Sequence, residues 1–184
     1  MTQDPNEDLQ TPPLTRKIRL GEIDPKADKT IQIEESEREA IMALLDLRDL
    51  TGLSFVYRLR PGSAKRVLLT GRLEADVVQT CVVSLEPVPA HIDVPLKAEF
   101  WPPEKIAELQ ARAEDPVQAS EIDWPEVIDG DAIDLGSLVY ETLATSLDPY
   151  PKKAGADFHW SDTKQDAETP KNSPFAVLKG LKNS

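Results

Sequence analysis

Residues Val67 to Trp101 constrain the fold more than any other stretch, because they alternate with a period of two. Val67, Leu69, Leu73, Ala75 and Val77 share one parity, and Thr70, Arg72, Glu74 and Asp76 share the other. Further on, Ile92, Val94, Leu96, Ala98 and Phe100 alternate with His91, Asp93, Lys97 and Glu99. Successive strand side chains face opposite sides, so each run is a strand with one core face and one wet face. Leu53 to Leu59 repeats the pattern, with Phe55, Tyr57 and Leu59 inward. The segment from Arg60 to Lys65 carries Pro61 and Gly62 where a type II turn wants them. Strands 53–60 and 66–78 therefore form an antiparallel hairpin, which 90–101 extends. Pro95 cannot donate to a ladder and places the last strand at an edge or at a bulge.

The flanks supply shorter elements. Thr15 to Leu20 and Thr30 to Ile33 read as short strands. Ser36-Glu37-Arg38-Glu39 has the spacing of a capping box, followed by a helical face of Ala40, Ile41, Leu44, Leu45 and Leu47. Pro103 opens a short helix to Ala113, and Glu114 to Gly130 reads as an acidic loop. Asp134 is the expected N-cap of a helix bearing Leu135, Leu138, Val139, Leu143 and Leu147, which Asp148-Pro149 stops. Ser173-Pro174-Phe175 starts a short terminal helix with Phe175, Leu178 and Leu181 on one face. The expected organisation is a disordered N-terminus (1–14), an α+β domain (15–160), and a flexible tail with that helix (161–184). The fold class is α+β: an antiparallel sheet, two main helices and an acidic loop.

Charge and cysteine content exclude several functions. The 184 residues hold 21 Lys and Arg against 33 Asp and Glu, a net charge of −12 that favours basic partners and opposes polyanions. A lone cysteine, Cys81, forbids an internal disulfide and a multi-thiolate zinc site, so neither metal nor cofactor is expected. The polar, acidic residues 1–13 are unlike a signal peptide, and no apolar run approaches the roughly 18 residues of a membrane span. A cytoplasmic protein without membrane contact is expected. Phosphate-binding glycine loops and Gly-x-Ser-x-Gly are absent. His91 and His159 sit in unrelated contexts, and Asp129 to Asp134 lacks the closing Glu of a calcium loop.

Two charge features remain. From Leu50 to Leu73 there is no acid, and Arg58, Arg60, Arg66 and Arg72 share the wet parity of the hairpin, with Lys65 at its turn. Side chains of like parity on paired strands share a face, and arginine's planar fork suits phosphate. This basic stripe is a candidate RNA surface; the plainer alternative is ordinary cross-strand pairing with Glu74, Asp76 and Glu99. The second feature is acidic: Glu121, Asp123, Glu126 and Asp129 surround Trp124, a candidate contact for a basic protein or simply a solubilising loop.

The order of short motifs resembles a known family. Gly71-Arg72-Leu73 is followed by Cys81-Val82-Val83-Ser84-Leu85-Glu86-Pro87, then Ile133-Asp134-Leu135, Tyr140-Glu141-Thr142-Leu143, Leu147-Asp148-Pro149-Tyr150-Pro151 and Ser173-Pro174-Phe175-Ala176-Val177-Leu178. This arrangement, over residues 15–182, resembles the YceD family of bacterial and plastid proteins in its alphaproteobacterial form. The resemblance implies a role in accumulation of large-subunit (23S) ribosomal RNA, with Cys81, Leu85 and Pro87 as family-motif positions. Many members carry Cys-x-Arg-Cys-Leu there; Val83 and Ser84 replace the arginine and the second cysteine, which removes any thiol pair. No catalytic residue follows from the resemblance. The expected function is non-enzymatic support of ribosome assembly through ribosomal RNA or a pre-ribosomal large subunit, with a basic ribosomal protein as a further partner. The alternatives are a protein–protein adaptor without nucleic-acid contact and an RNA- or thiol-processing enzyme.

Overall fold

The computed structural model describes residues 12–112 and 124–157. In chain order these form β1 (Lys17–Arg19), β2 (Lys29–Gln32), α1 (Glu35–Leu44), β3 (Asp49–Pro61), β4 (Val67–Thr80), β5 (Pro87–Trp101), α2 (Pro103–Arg112), β6 (Glu126–Val127), β7 (Ala132–Asp134) and α3 (Leu135–Ser146). The main sheet has the order β2-β3-β4-β5-β6, antiparallel except for the short parallel β5–β6 contact. A separate antiparallel pair joins β1 to β7. The fold is α+β.

The meander β3-β4-β5 is the frame, and the period-two pattern sets its register. Phe55 faces Leu73 and Leu73 faces Val94, so the apolar parities of all three strands meet on one face. That face carries the core, with Phe55 and Leu73 fully buried and Phe100 nearly so. Helix α3 packs on it across β4 and β5, while α1 packs against β3. The opposite face of the sheet is exposed to solvent.

Prolines protect the free edge of β5. Trp101 O accepts from Ile128 N at 2.9 Å, so the odd-numbered backbone groups of β5 point away from β4. Pro87, Pro89 and Pro95 share that parity, so each removes an N–H from the exposed edge and none from the ladder. The β4–β5 register runs without a shift. Pro95 therefore marks an edge; the irregularity lies instead between Thr51 and Ser54 of β3, where Gly52 has φ +64°.

Several sequence expectations are corrected. Helix α1 begins earlier than Ser36: the box is Glu34 and Glu37, and the Glu34 N–H donates to Glu37 Oε2 at 2.8 Å. Arg16 fixes Glu37 in that position, with bonds of 2.5 and 2.7 Å to its two oxygens. This hydrogen-bonded pair holds the Glu37 carboxyl below its usual range. The helix also ends sooner, at Leu44, which is exposed; Leu47 is buried from beyond a left-handed Asp46. The hairpin turn is not type II at Gly62. A 3-10 turn at Ser63–Lys65 places Ala64 and Lys65 at φ 56° and 60°. Within the expected acidic loop β6 forms, and β7 follows just after it, both too short for a periodic signal.

The expected cap of α3 is present. Asp134 Oδ1 accepts from Gly136 N and from Arg16 N, both at 2.8 Å. One carboxylate thus starts the helix and fastens the N-terminal strand. Order begins before residue 15, since Leu14 is fully buried. The expectations for 1–11, for 113–123 and for the tail from 158 lie outside the described residues.

Candidate nucleic-acid interface

The register sorts charge along the exposed face of the sheet. Arg60, Leu68 and Glu99 form one cross-strand row, and Arg58, Thr70 and Lys97 the next. Val56, Arg72 and Pro95 follow, then Ser54, Glu74 and Asp93, and finally Asp76 beside His91. Cations gather near the 60–66 turn, with Glu99 among them, and Glu74, Asp76 and Asp93 lie at the far end.

The five basic residues singled out from sequence do not act alike. Arg58 closes on Asp28 through bonds of 2.8 and 2.7 Å. Arg72 bonds Asp93 and lies 3.6 Å from Glu74, and this pairing raises its pKa further. Arg66 lies over the Trp101 ring at 3.7 Å, with its Nε buried and without a hydrogen-bond partner among the described residues. Arg60 and Lys65 are exposed, and neither meets a carboxylate among the described residues. Lys97 joins them. It sits on the wet parity of β5 opposite Thr70, exposed and likewise without an acid partner among the described residues. Lys97 lies outside the acid-free run from Leu50 to Leu73 on which the basic stripe was read, and acids flank it in sequence. Glu99 is engaged elsewhere, accepting from Trp101 Nε1 at 2.8 Å, and Asp93 is taken by Arg72.

At the acidic end His91 Nδ1 lies 2.8 Å from Asp76 Oδ1. Hydrogen bonding to Asp76, then the charges of Asp76, Asp93 and Glu74, raise the His91 pKa above its ordinary 6.5. The protonated imidazole therefore favours the folded state. Its contribution is complete below the unfolded value and is lost as pH rises through the folded value. An NMR titration is expected to place His91 above 6.5, and Asp76→Asn to bring it down. An unchanged His91 midpoint in that variant would contradict the assignment.

The candidate acidic contact is divided. Glu121 and Asp123 lie outside the described residues. Asp129 is exposed, 3.5 Å from Lys17 Nζ. Trp124 and Glu126 line a cleft of about 500 Å³ together with Leu68, Lys97, Glu99 and Trp101. Desolvation, and then the charge of Glu141, push the Glu126 carboxyl above its usual range.

The inter-strand segment is a rigid turn. Cys81 N donates to Glu86 O at 2.9 Å and Leu85 N to Cys81 O at 3.0 Å. The buried sulfur accepts from Ser84 N at 3.4 Å and Lys153 N at 3.3 Å. Val82 N donates to Pro151 O at 2.9 Å, which ties the segment after α3 to the hairpin. Leu85 adopts φ 59° and is 68% exposed, while Pro87 opens β5 opposite Thr80. Ser84, at the place of the second family cysteine, thus closes the turn through its backbone and needs no second thiol.

The Lys153 N–H, then the Ser84 side chain and the Ser84 N–H, lower the Cys81 pKa to about 6, with burial acting the other way. Burial keeps the thiol from reagents, so a slow reaction with a thiol reagent is expected in native protein and a fast one after unfolding. The two bonds to the sulfur set the cost of losing it. Cys81→Ala orphans two N–H groups, a cost of about 1–3 kcal/mol. Cys81→Ser keeps an acceptor and should cost less by denaturant melting. Equal stability of the two variants would remove the sulfur from this account.

Comparison with known families bears directly on the motif order. The family described as "Large ribosomal RNA subunit accumulation protein YceD" matches residues 69–182. The chain belongs to the YceD family. The match spans β4, the Cys81 turn, β5 and α3, starting later than the residue 15 from which the motif order was read. Membership carries a role in large-subunit ribosomal RNA accumulation. Comparison with curated proteins finds no match, and comparison with solved structures finds none. Among the described residues no helix is long and apolar enough to cross a membrane.

Proposed function

We propose that this YceD-family chain is a non-enzymatic cytoplasmic factor that contacts ribosomal RNA through the turn end of its exposed sheet face. The supporting observation is the selective neutralisation of the arginines. Arg58 and Arg72 are held by carboxylates, whereas Arg60, Lys65 and Lys97 gather at one end without acid partners among the described residues. An isolated cationic end on a chain of net charge −12 is what a limited phosphate contact requires. Few contacts and an opposing net field make the affinity for naked RNA weak. A basic protein meeting the exposed Asp129 would strengthen it on a pre-ribosomal particle.

Counterion release sets the test. Each lost phosphate contact lowers the log–log salt slope by about 0.7 on single strands. Arg60→Gln, Lys65→Gln and Lys97→Gln together are expected to flatten the slope by about 2 and to reduce co-sedimentation with pre-ribosomal particles. Arg58→Gln with Arg72→Gln should change the slope by less than about 0.7, since those guanidiniums already face carboxylates. Equal effects of the two sets would return the surface to an ordinary solvated face. Partners retained after ribonuclease treatment in a pull-down would favour the adaptor reading.

A further inference from the structure

We propose that the cleft walled by Trp101 and Trp124 seats one unpaired guanine of the RNA. This inference rests on the RNA-contact reading and names what that contact recognises. Two of the three tryptophans of the chain line this one cleft, and the cationic end of the sheet borders it. Its volume of about 500 Å³ falls within the roughly 300–1,000 Å³ of small-molecule sites.

The walls suit a planar base. Trp101 is fixed by Arg66 over its ring at 3.7 Å and by its own Nε1 bond to Glu99. An aromatic wall held in this way loses little freedom when a base stacks on it. Trp124 supplies a second aromatic group and Leu68 an exposed apolar one. Lys97 lines the same cleft, and Arg60 stands in the next row of the sheet. Both are in reach of the phosphates that flank a splayed-out nucleotide.

The polar groups choose among bases. Glu99 and Glu126 are the carboxylates of the lining among the described residues, and an ionised carboxylate only accepts. The pairing edge of guanine offers two adjacent donors, N1–H and the 2-amino group, which a carboxylate accepts side by side. Adenine and cytosine place a lone pair next to their amino group. Uracil has one N–H between two carbonyls. The two carboxylates thus favour guanine over the other three bases, while the Lys97 ammonium and the Thr70 hydroxyl of the same lining are left for its acceptors or its phosphate.

Fluorescence titration of the full chain at low salt, with short uridine oligonucleotides carrying one central G, A or inosine, tests this. The expected order is guanine tightest by about tenfold, inosine intermediate because it lacks the 2-amino group, and adenine equal to uridine alone. Trp124→Ala should remove the advantage of guanine while leaving weak binding of all-uridine strands. Glu126→Gln, which keeps the ring and the fold, should reduce the preference for guanine over inosine. Arg60→Gln should weaken every strand by the same factor. Equal binding of all strands with both cleft variants unchanged overturns the guanine site and leaves the RNA contact standing. Absence of binding to every strand and to ribosomal RNA overturns both.

Discussion

Gly136→Ala is expected to cost about 3 kcal/mol, the upper end of what overpacking does. Gly136 is buried in the first turn of α3, where the chain from Leu14 to Arg16 crosses it. A Cβ there would lie 2.6 Å from the Leu14 carbonyl carbon and the Thr15 Cα and closer still to the Leu14 oxygen, all of them backbone atoms. No rotamer change relieves such a clash, so either the strand or the helix must move. Movement also loosens the Arg16 and Gly136 bonds to Asp134 and the 3.1 Å bond from Leu135 N to Arg16 O. The helix propensity gained by alanine, about 1 kcal/mol, offsets a minority of this. For a domain of this size the loss corresponds to a fall in Tm of roughly 6–12 °C. Hydrogen exchange should show residues 14–19 opening first. Gly21→Ala is the control, because nothing lies within 4 Å of its added Cβ. A Tm for Gly136→Ala equal to that of Gly21→Ala would sink this account.

Residues whose environment is set by their own strand were readable in advance. Phe55, Leu73 and Ile92 were placed inward by alternation alone, and all three are buried. Asp134 was legible as a cap for the same local reason. What escaped depends on partners distant in sequence. The role of Arg16 needs Glu37 and Asp134 brought to it, and no pattern near residue 16 announces either. Likewise β6 and β7 exist because Phe100, Trp101 and the β1 backbone offer edges, not because two or three residues carry a period. Leu44 was read into the core because helical periodicity continues through it. The chain leaves the helix there, and the left-handed Asp46 redirects Leu47 inward in its place.

The candidate interface was half legible for a related reason. Parity placed Arg58, Arg60, Arg66 and Arg72 on one face; the register keeps Arg58, Arg60 and Arg72 there, while Arg66 falls in the turn before β4. Parity cannot say which cation finds a carboxylate. Asp28 reaches Arg58 from just before β2, and Asp93 reaches Arg72 from the adjacent β5, which leaves Arg60, Lys65 and the unanticipated Lys97 as the cationic end. Trp124 was read as an anchor for a basic protein. The structure places it on a cleft with Trp101, a neighbour brought close by the β5–β6 contact.

Phe55→Ala is expected to cost about 3–5 kcal/mol, as burial and cavity formation together predict. Phe55 is fully buried, and its ring stacks on Tyr57 with centroids 5.5 Å apart and planes 12° from parallel. The ring also fills the space that a side chain at Gly71 would occupy, for a Cβ there meets Phe55 Cε2 at 2.5 Å and Cζ at 2.6 Å. Gly71 stands across from Tyr57 on the inward parity, so an aromatic ring on β3 covers a glycine on β4. Gly71→Ala should therefore cost about 1–3 kcal/mol through overpacking of that ring. The two positions share one volume and should not be additive. Phe55→Leu removes the ring edge that the added methyl strikes, so the double variant Phe55→Leu/Gly71→Ala should be more stable than the sum of its singles by about 1 kcal/mol. Rescue stays incomplete because Val56 O, a backbone atom, remains 2.8 Å from the same Cβ. Denaturant melts of the four proteins close the cycle, and strict additivity would show that Phe55 and Gly71 do not compete for the same space.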